Sequence, residues 1–120
     1  MKVIKLSQVK EKDNSSPLFT GPVTAQPIVT DDMSKLFGLQ QVNFGKGVRN
    51  KLHVHEGDNV LIVTKGKGIV ATDKEQFEVG VGDIVFVPAG EKNSHGAAPG
   101  STFSHITLRV AGSKTTQLEK

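Results

Sequence analysis

From Gln26 to Val110 the chain alternates between short apolar or β-branched runs and breaks at Gly, Pro, Asp or Lys-Gly. The runs are Pro27–Thr30, Leu36–Phe44, Lys51–His55, Asn59–Thr64, Gly68–Thr72, Gln76–Val79, Asp83–Val87 and Thr102–Val110. None shows the 3.6-residue period of a helix, and their even spacing predicts an all-β sandwich or barrel. Lys65-Gly66-Lys67-Gly68 and Gly80-Val81-Gly82-Asp83 are read as hairpin turns. Side chains alternate faces along a strand. Ser104, Ile106, Leu108 and Val110 therefore share one face, which reads as apolar packing. Phe103, His105, Thr107 and Arg109 share the other, which suits either a partly polar cavity wall or an exposed surface. Phe44, Phe86 and Phe103 read as core.

The 120 residues fit one domain. Residues 1–24 form a polar N-terminal extension with weak alternation at Val3–Leu6, residues 25–111 the barrel, and residues 112–120 a polar, mobile tail. Composition narrows the chemistry. There is no cysteine, which excludes a disulfide scaffold, a thiolate metal site and thiol catalysis. Imidazole, carboxylate, amide and hydroxyl groups remain, and the four histidines are the scarce resource. The net charge of +3 is scattered and the six aromatics are all Phe, so a nucleic-acid surface with stacking platforms is not expected. The first ten residues lack the apolar run of a signal peptide, and no stretch approaches a membrane span. A cytoplasmic protein without membrane partners is expected.

His53-Val54-His55 is the first constellation with chemical meaning. Histidines at i and i+2 on a strand point to one face, close enough to share a metal ion, although two surface histidines would look the same. Leu52 and Val54 should then face the core. Lys51 would lie on the histidine side, and Glu56 and Asp58 read as solvated turn residues.

The surroundings sharpen this. Gly47 is followed after five residues by His53-x-His55, after three more by Asn59, and after six more by Gly66. Gly82 is followed after five residues by Pro88-Ala89-Gly90, then after two by Asn93-Ser94-His95-Gly96. The spacing resembles the two motifs of the cupin superfamily, which implies a double-stranded β-helix (jelly-roll-like) barrel with a metal in its bowl. Leu18-Phe19-Thr20-Gly21, Leu61-Ile62-Val63-Thr64 and His95-Gly96-Ala97-Ala98-Pro99 resemble small single-domain cupins, among them hydroxynitrile lyases and relatives of carboxymuconolactone decarboxylase. The resemblance covers roughly residues 18–110 and implies a homodimer whose N-terminal strands pack across the interface.

By that resemblance the metal ligands are His53 and His55, with His95 or Asn93 next and Asn59 last. The sequence departs from the family at Asn59, where Glu is usual, and at Asn93, where His is usual. Amide oxygens are weak neutral donors, so the site carries no protein charge. The ion implied is divalent Mn, Fe, Ni or Zn, with His105 or His95 as general acid or base for a small-molecule ligand. Carbon–carbon cleavage, isomerisation, or dioxygen chemistry on iron would all fit. The competing reading is a non-catalytic small-molecule binder with a degenerate metal site.

Overall fold

A computed structural model describes all 120 residues. After a short 3-10 turn at Leu6–Gln8 come ten strands: β1 (Lys12–Asp13), β2 (Val23–Val29), β3 (Phe37–Phe44), β4 (His53–His55), β5 (Asn59–Thr72), β6 (Gln76–Gly80), β7 (Ile84–Val87), β8 (Asn93–Ala97), β9 (Phe103–Val110) and β10 (Thr115–Gln117). Every pairing is antiparallel, in the order β1-β2-β3-β9-β5-β8-β4-β10, with β6 and β7 also on β5. The all-β expectation holds, and no helix is long and apolar enough to cross a membrane.

β5 is where the sheet curls. Its first half, Asn59–Ile62, lies between β7 and β9; its second half, Gly68–Thr72, lies between β6 and β8. Lys65–Gly68 is therefore no hairpin turn. The ladder to β9 shifts register between Val63 and Lys65, and the strand runs on. The glycines answer to packing at this bend. Gly66 has φ +71°, and a Cβ there would sit 2.0 Å from the Thr102 carbonyl oxygen. A Cβ on Gly68 would sit 2.4 Å from the ring of the fully buried Phe103. A bulge bends a strand and increases its twist, which is what carrying one strand from one sheet into the next requires.

The core gathers Val23, Val42, Val63, Val70 and the rings of Phe44 and Phe103, whose centroids are 6.0 Å apart. The faces of β9 are assigned the other way from the apolar reading. Phe103 and His105 are wholly buried and point inward, while Ile106 and Leu108 are half-buried and Val110 is exposed. Interior position outweighs apolarity here because the barrel encloses a polar cavity. Phe86 is likewise exposed rather than core, on the outward face with Ile84.

Both termini lie against the barrel. Gln26 Nε2 donates to the carbonyls of Leu6 and Val9 at 3.2 and 2.9 Å, holding the N-terminal segment over β2. Residues 112–120 are polar but not a free tail: β10 extends the sheet beside β4, pairing Thr115 with His55 and Gln117 with His53. Beyond it Glu119 meets Arg49 in a two-pronged ion pair, Oε2 to Nη2 at 2.7 Å and Oε1 to Nη1 at 3.1 Å, and also accepts the Leu52 N–H. That pairing pulls the Glu119 carboxyl down to about 2.

Candidate functional site: a histidine-lined bowl

Above the Phe44–Phe103 floor the barrel opens into a cavity of about 470 Å³. Cross-strand register builds its wall in rungs. His105 sits between Val42 and Val63, Thr107 between Gln40 and Leu61, and Arg109 between Gly38 and Asn59. His53 and His55 face these rungs from β4, and the segment from Asp13 to Phe19 closes one side of the mouth. Four histidines, drawn from three strands, line one cavity. That much follows the sequence.

Their hydrogen bonds divide them into two pairs. His53 Nδ1 donates to the Lys51 carbonyl at 2.7 Å, because a carbonyl can only accept, so its Nε2 carries a free lone pair. His55 Nδ1 lies 2.8 Å from Thr115 Oγ1, and its Nε2 has no protein partner. The two rings are 4.7 Å apart. His53 is buried, and it is the Lys51 backbone rather than its side chain that acts on it.

His95 and His105 are bonded to each other. Asn50 Oδ1 accepts the His95 backbone N–H at 2.7 Å, which turns its amide NH₂ onto His95 Nε2 at 3.0 Å. His95 Nε2 is therefore an acceptor and Nδ1 carries the proton. That proton is donated to His105 Nε2 at 3.1 Å, and His105 Nδ1–H is donated to Thr107 Oγ1 at 3.0 Å. Every ring nitrogen of this pair has a partner.

Burial keeps all four rings neutral. It pushes His105 down to about 3 and His95 well below the ordinary imidazole value, with His105, His53 and His55 adding repulsion at His95. His55 falls to about 4 through burial, then through His53 and Arg109. His53 is lowered by burial, opposed by the Lys51 carbonyl. Neutral imidazole is the form that can ligate a metal.

The asparagines separate. Asn59 is buried in the bowl wall, and its Oδ1 has no hydrogen-bond partner. Asn93 lies on β8 opposite His53, donates to the Glu91 carbonyl at 3.1 Å, and lines a smaller cavity of about 110 Å³. His95 borders both cavities. Glu56 and Asp58 accept backbone N–H groups of Lys114 and Ala89, as turn residues do. No three His, Cys, Asp or Glu side chains are grouped to hold a metal ion. A metal in the bowl would need an amide.

An orphaned buried carbonyl loses on the order of 1–3 kcal/mol relative to a satisfied one. Asn59 Oδ1, together with the free Nε2 atoms of His53 and His55, is a donor set that fits a divalent ion. Asn50 and Thr115 were not singled out in the sequence, since they act through partners 45 and 60 residues away. Arg109 was placed on the His105 face by alternation alone.

The Cupin domain family matches residues 40–102, which contain the β4 histidines, the Asn59 wall and the β8 segment. The chain belongs to the cupin family. An (R)-mandelonitrile lyase from Granulicella tundricola is 34% identical over 92 residues, 76% of this chain and 70% of that protein. A mannose-6-phosphate isomerase from Cryptococcus neoformans is 29% identical over 69 residues, but these are 16% of its length. Among solved structures, a cupin-like protein of Thermotoga maritima superposes with TM-score 0.84 at 31% identity, covering 90% of this chain and 84% of that one. The polyketide cyclase RemF of Streptomyces resistomycificus superposes with TM-score 0.89 at 20% identity, covering 100% and 87%, a likeness of fold. This cupin therefore has the barrel, the bowl and lyase-like relatives.

Proposed function

We propose that this cupin is a metal-dependent enzyme of lyase or isomerase type acting on a small organic molecule in the bowl. The observation that carries the reading is the buried, partnerless Asn59 Oδ1 lining the same cavity as two imidazoles with free Nε2 atoms. His53, His55 and Asn59 would hold the ion. A divalent ion held by these neutral donors would keep its full charge and would supply Lewis acidity toward a carbonyl or hydroxyl oxygen. Mn, Fe, Ni and Zn are the candidates.

The remaining work falls to the chain. His95 and His105 fix Thr107: its Oγ1 accepts a hydrogen bond from His105 Nδ1–H, which leaves its own hydroxyl hydrogen free to donate into the bowl it lines. Because Asn50 can only donate to His95, the chain of hydrogen bonds has one direction. His105 thus acts at the substrate by way of Thr107, and Thr107 is the group that donates to a developing oxyanion. The lyase relative supports the reaction class. The full set of partners around His95 favours the second reading, a metal-free binding cupin.

Metal content decides between them. Untagged protein should carry about one equivalent after loading with Mn, Fe, Ni or Zn, and His53→Ala/His55→Ala should lose at least about a hundredfold in affinity, since even outer partners are worth ~10–100-fold. Asn59→Leu should weaken metal binding while leaving the metal-free protein as stable or more so, because it removes the orphan. Wild-type protein that takes up none of the four metals sinks the proposal. The homodimer belongs to this reading as well: Ile62, Ile84 and Phe86 expose apolar area on the outward face of β5 and β7 that a second copy would cover. Light scattering that reads a monomer removes it.

A further inference from the structure

Arg109 stands at the rim of the bowl without a partner. It occupies the inward side of β9, one rung above Thr107 and opposite Asn59. Gly38 on the neighbouring strand leaves it room, since a Cβ there would lie 3.3 Å from its Nε. Its guanidinium makes no hydrogen bond or ion pair; the single ion pair of the chain is Arg49–Glu119, elsewhere. Arg109 lines the same cavity as His53, His55 and Thr107.

The bowl offers nothing to neutralise it. Of the residues lining the cavity, Asp13 alone is acidic, and its carboxylate accepts the Ser15 N–H at 3.0 Å. The histidines are neutral, the asparagine donors are neutral, and a divalent ion held by them would add uncompensated positive charge. A guanidinium presents paired N–H donors that match a carboxylate, and such pairs are shorter and stronger than neutral hydrogen bonds. A cavity of about 470 Å³ is within the size range of small-ligand sites.

We propose that the bowl is specific for carboxylate-bearing small molecules, with Arg109 as the residue that receives the carboxylate at the rim. This rests on the reading of the bowl as the binding site and deepens it: the substrate class is an organic acid, not a neutral cyanohydrin. The carboxylate docks against Arg109 while the rest of the molecule extends inward past Thr107 toward His53 and His55. Arg109 is thereby a specificity-determining residue, independent of whether a metal is bound.

The test compares mandelate with mandelamide, which differ in charge but hardly in shape, by calorimetric titration of EDTA-treated protein. Mandelate should bind at least about tenfold more tightly than mandelamide. In Arg109→Gln the ratio should fall to within about twofold; Arg109→Lys should keep part of it, as a point charge without the fork. Lys46→Gln, an exposed lysine outside the cavity, should leave the ratio unchanged. Equal binding of the two probes, a preference that survives Arg109→Gln, or no binding of either at about 10 mM overturns the proposal. Zinc titration of Arg109→Gln in parallel separates the two readings. A protein that selects mandelate but takes up no metal retains the carboxylate site and loses the metal-dependent enzyme; one that binds metal without selecting mandelate does the reverse.

Discussion

Gly96→Ala should cost at least about 3 kcal/mol of folding stability, while Gly80→Ala should change it by less than about 1. A Cβ on Gly96 would lie 2.3 Å from the Arg49 Cα and 2.6 Å from the Val48 carbonyl oxygen. Both atoms are main chain, so no rotamer change relieves the overlap, and the segment before β4 would have to move off β8. That segment is tied down where it lies: the Asn50 N–H donates to the His95 carbonyl at 2.9 Å, and the Ala97 N–H donates to the Val48 carbonyl at 2.8 Å. Gly80 ends β6 with nothing within 4 Å of the same added atom. Denaturant unfolding of the two variants supplies the comparison. The consequence goes beyond stability, since displacing Asn50 releases the amide that fixes the His95 tautomer. Equal stability of the two variants would mean that the close approach of β8 and Arg49 has been misread.

Lowering the pH from 7 to 5 should remove at least about 3 kcal/mol of stability from the metal-free protein. An unfolded histidine titrates near 6.5, so by pH 5 its protonation stabilises the unfolded chain by about 2 kcal/mol. His105 is wholly buried, with its value pushed down to about 3, and gains nothing comparable while folded. His95, His53 and His55 are lowered in the same direction, chiefly by burial, and add to this loss, which makes about 3 kcal/mol a lower bound. The stability is therefore complete above about pH 6.5 and is lost as the pH falls toward the folded values. Guanidinium unfolding in EDTA at pH 7, 6 and 5 reads this directly. His105→Gln should reduce the loss between pH 7 and 5 by about 2 kcal/mol even if it lowers stability at pH 7. A wild-type profile already flat over this range would show that the buried pair is protonated in the fold, against the hydrogen bonds that engage each ring nitrogen.

The sequence made the barrel legible because turn residues and β-branched runs act locally, and the spacing of Gly47, His53, His55 and Gly66 sits on one continuous stretch of chain. It misread Lys65–Gly68 because glycine looks the same whether it turns the chain or admits a neighbouring ring; only Phe103, far along the chain, distinguishes them. Apolarity was the wrong guide on β9 for a related reason. A barrel that encloses a polar cavity turns its His and Thr inward and half-covers its Ile and Leu outside. β10 was legible as polar but not as structure, since its three residues gain their order from β4 and from Arg49. The histidines were found by type, but their division into a free pair and a mutually bonded pair depends on Asn50 and Thr115, which no local pattern marks, and on Thr107, which alternation places on the His105 face without giving it a partner.

β5 has a bearing on how anything enters the bowl. Because that strand belongs to both sheets, neither sheet can swing away without breaking ladders on the other. The mouth of the cup is bordered by the Asp13–Phe19 segment and by Ser113 and Thr115 at the start of β10. Any opening of the mouth would displace one of these two edges, since the cup itself is held by one continuous strand. One of them carries Thr115, so each opening on that side also loosens the grip on His55.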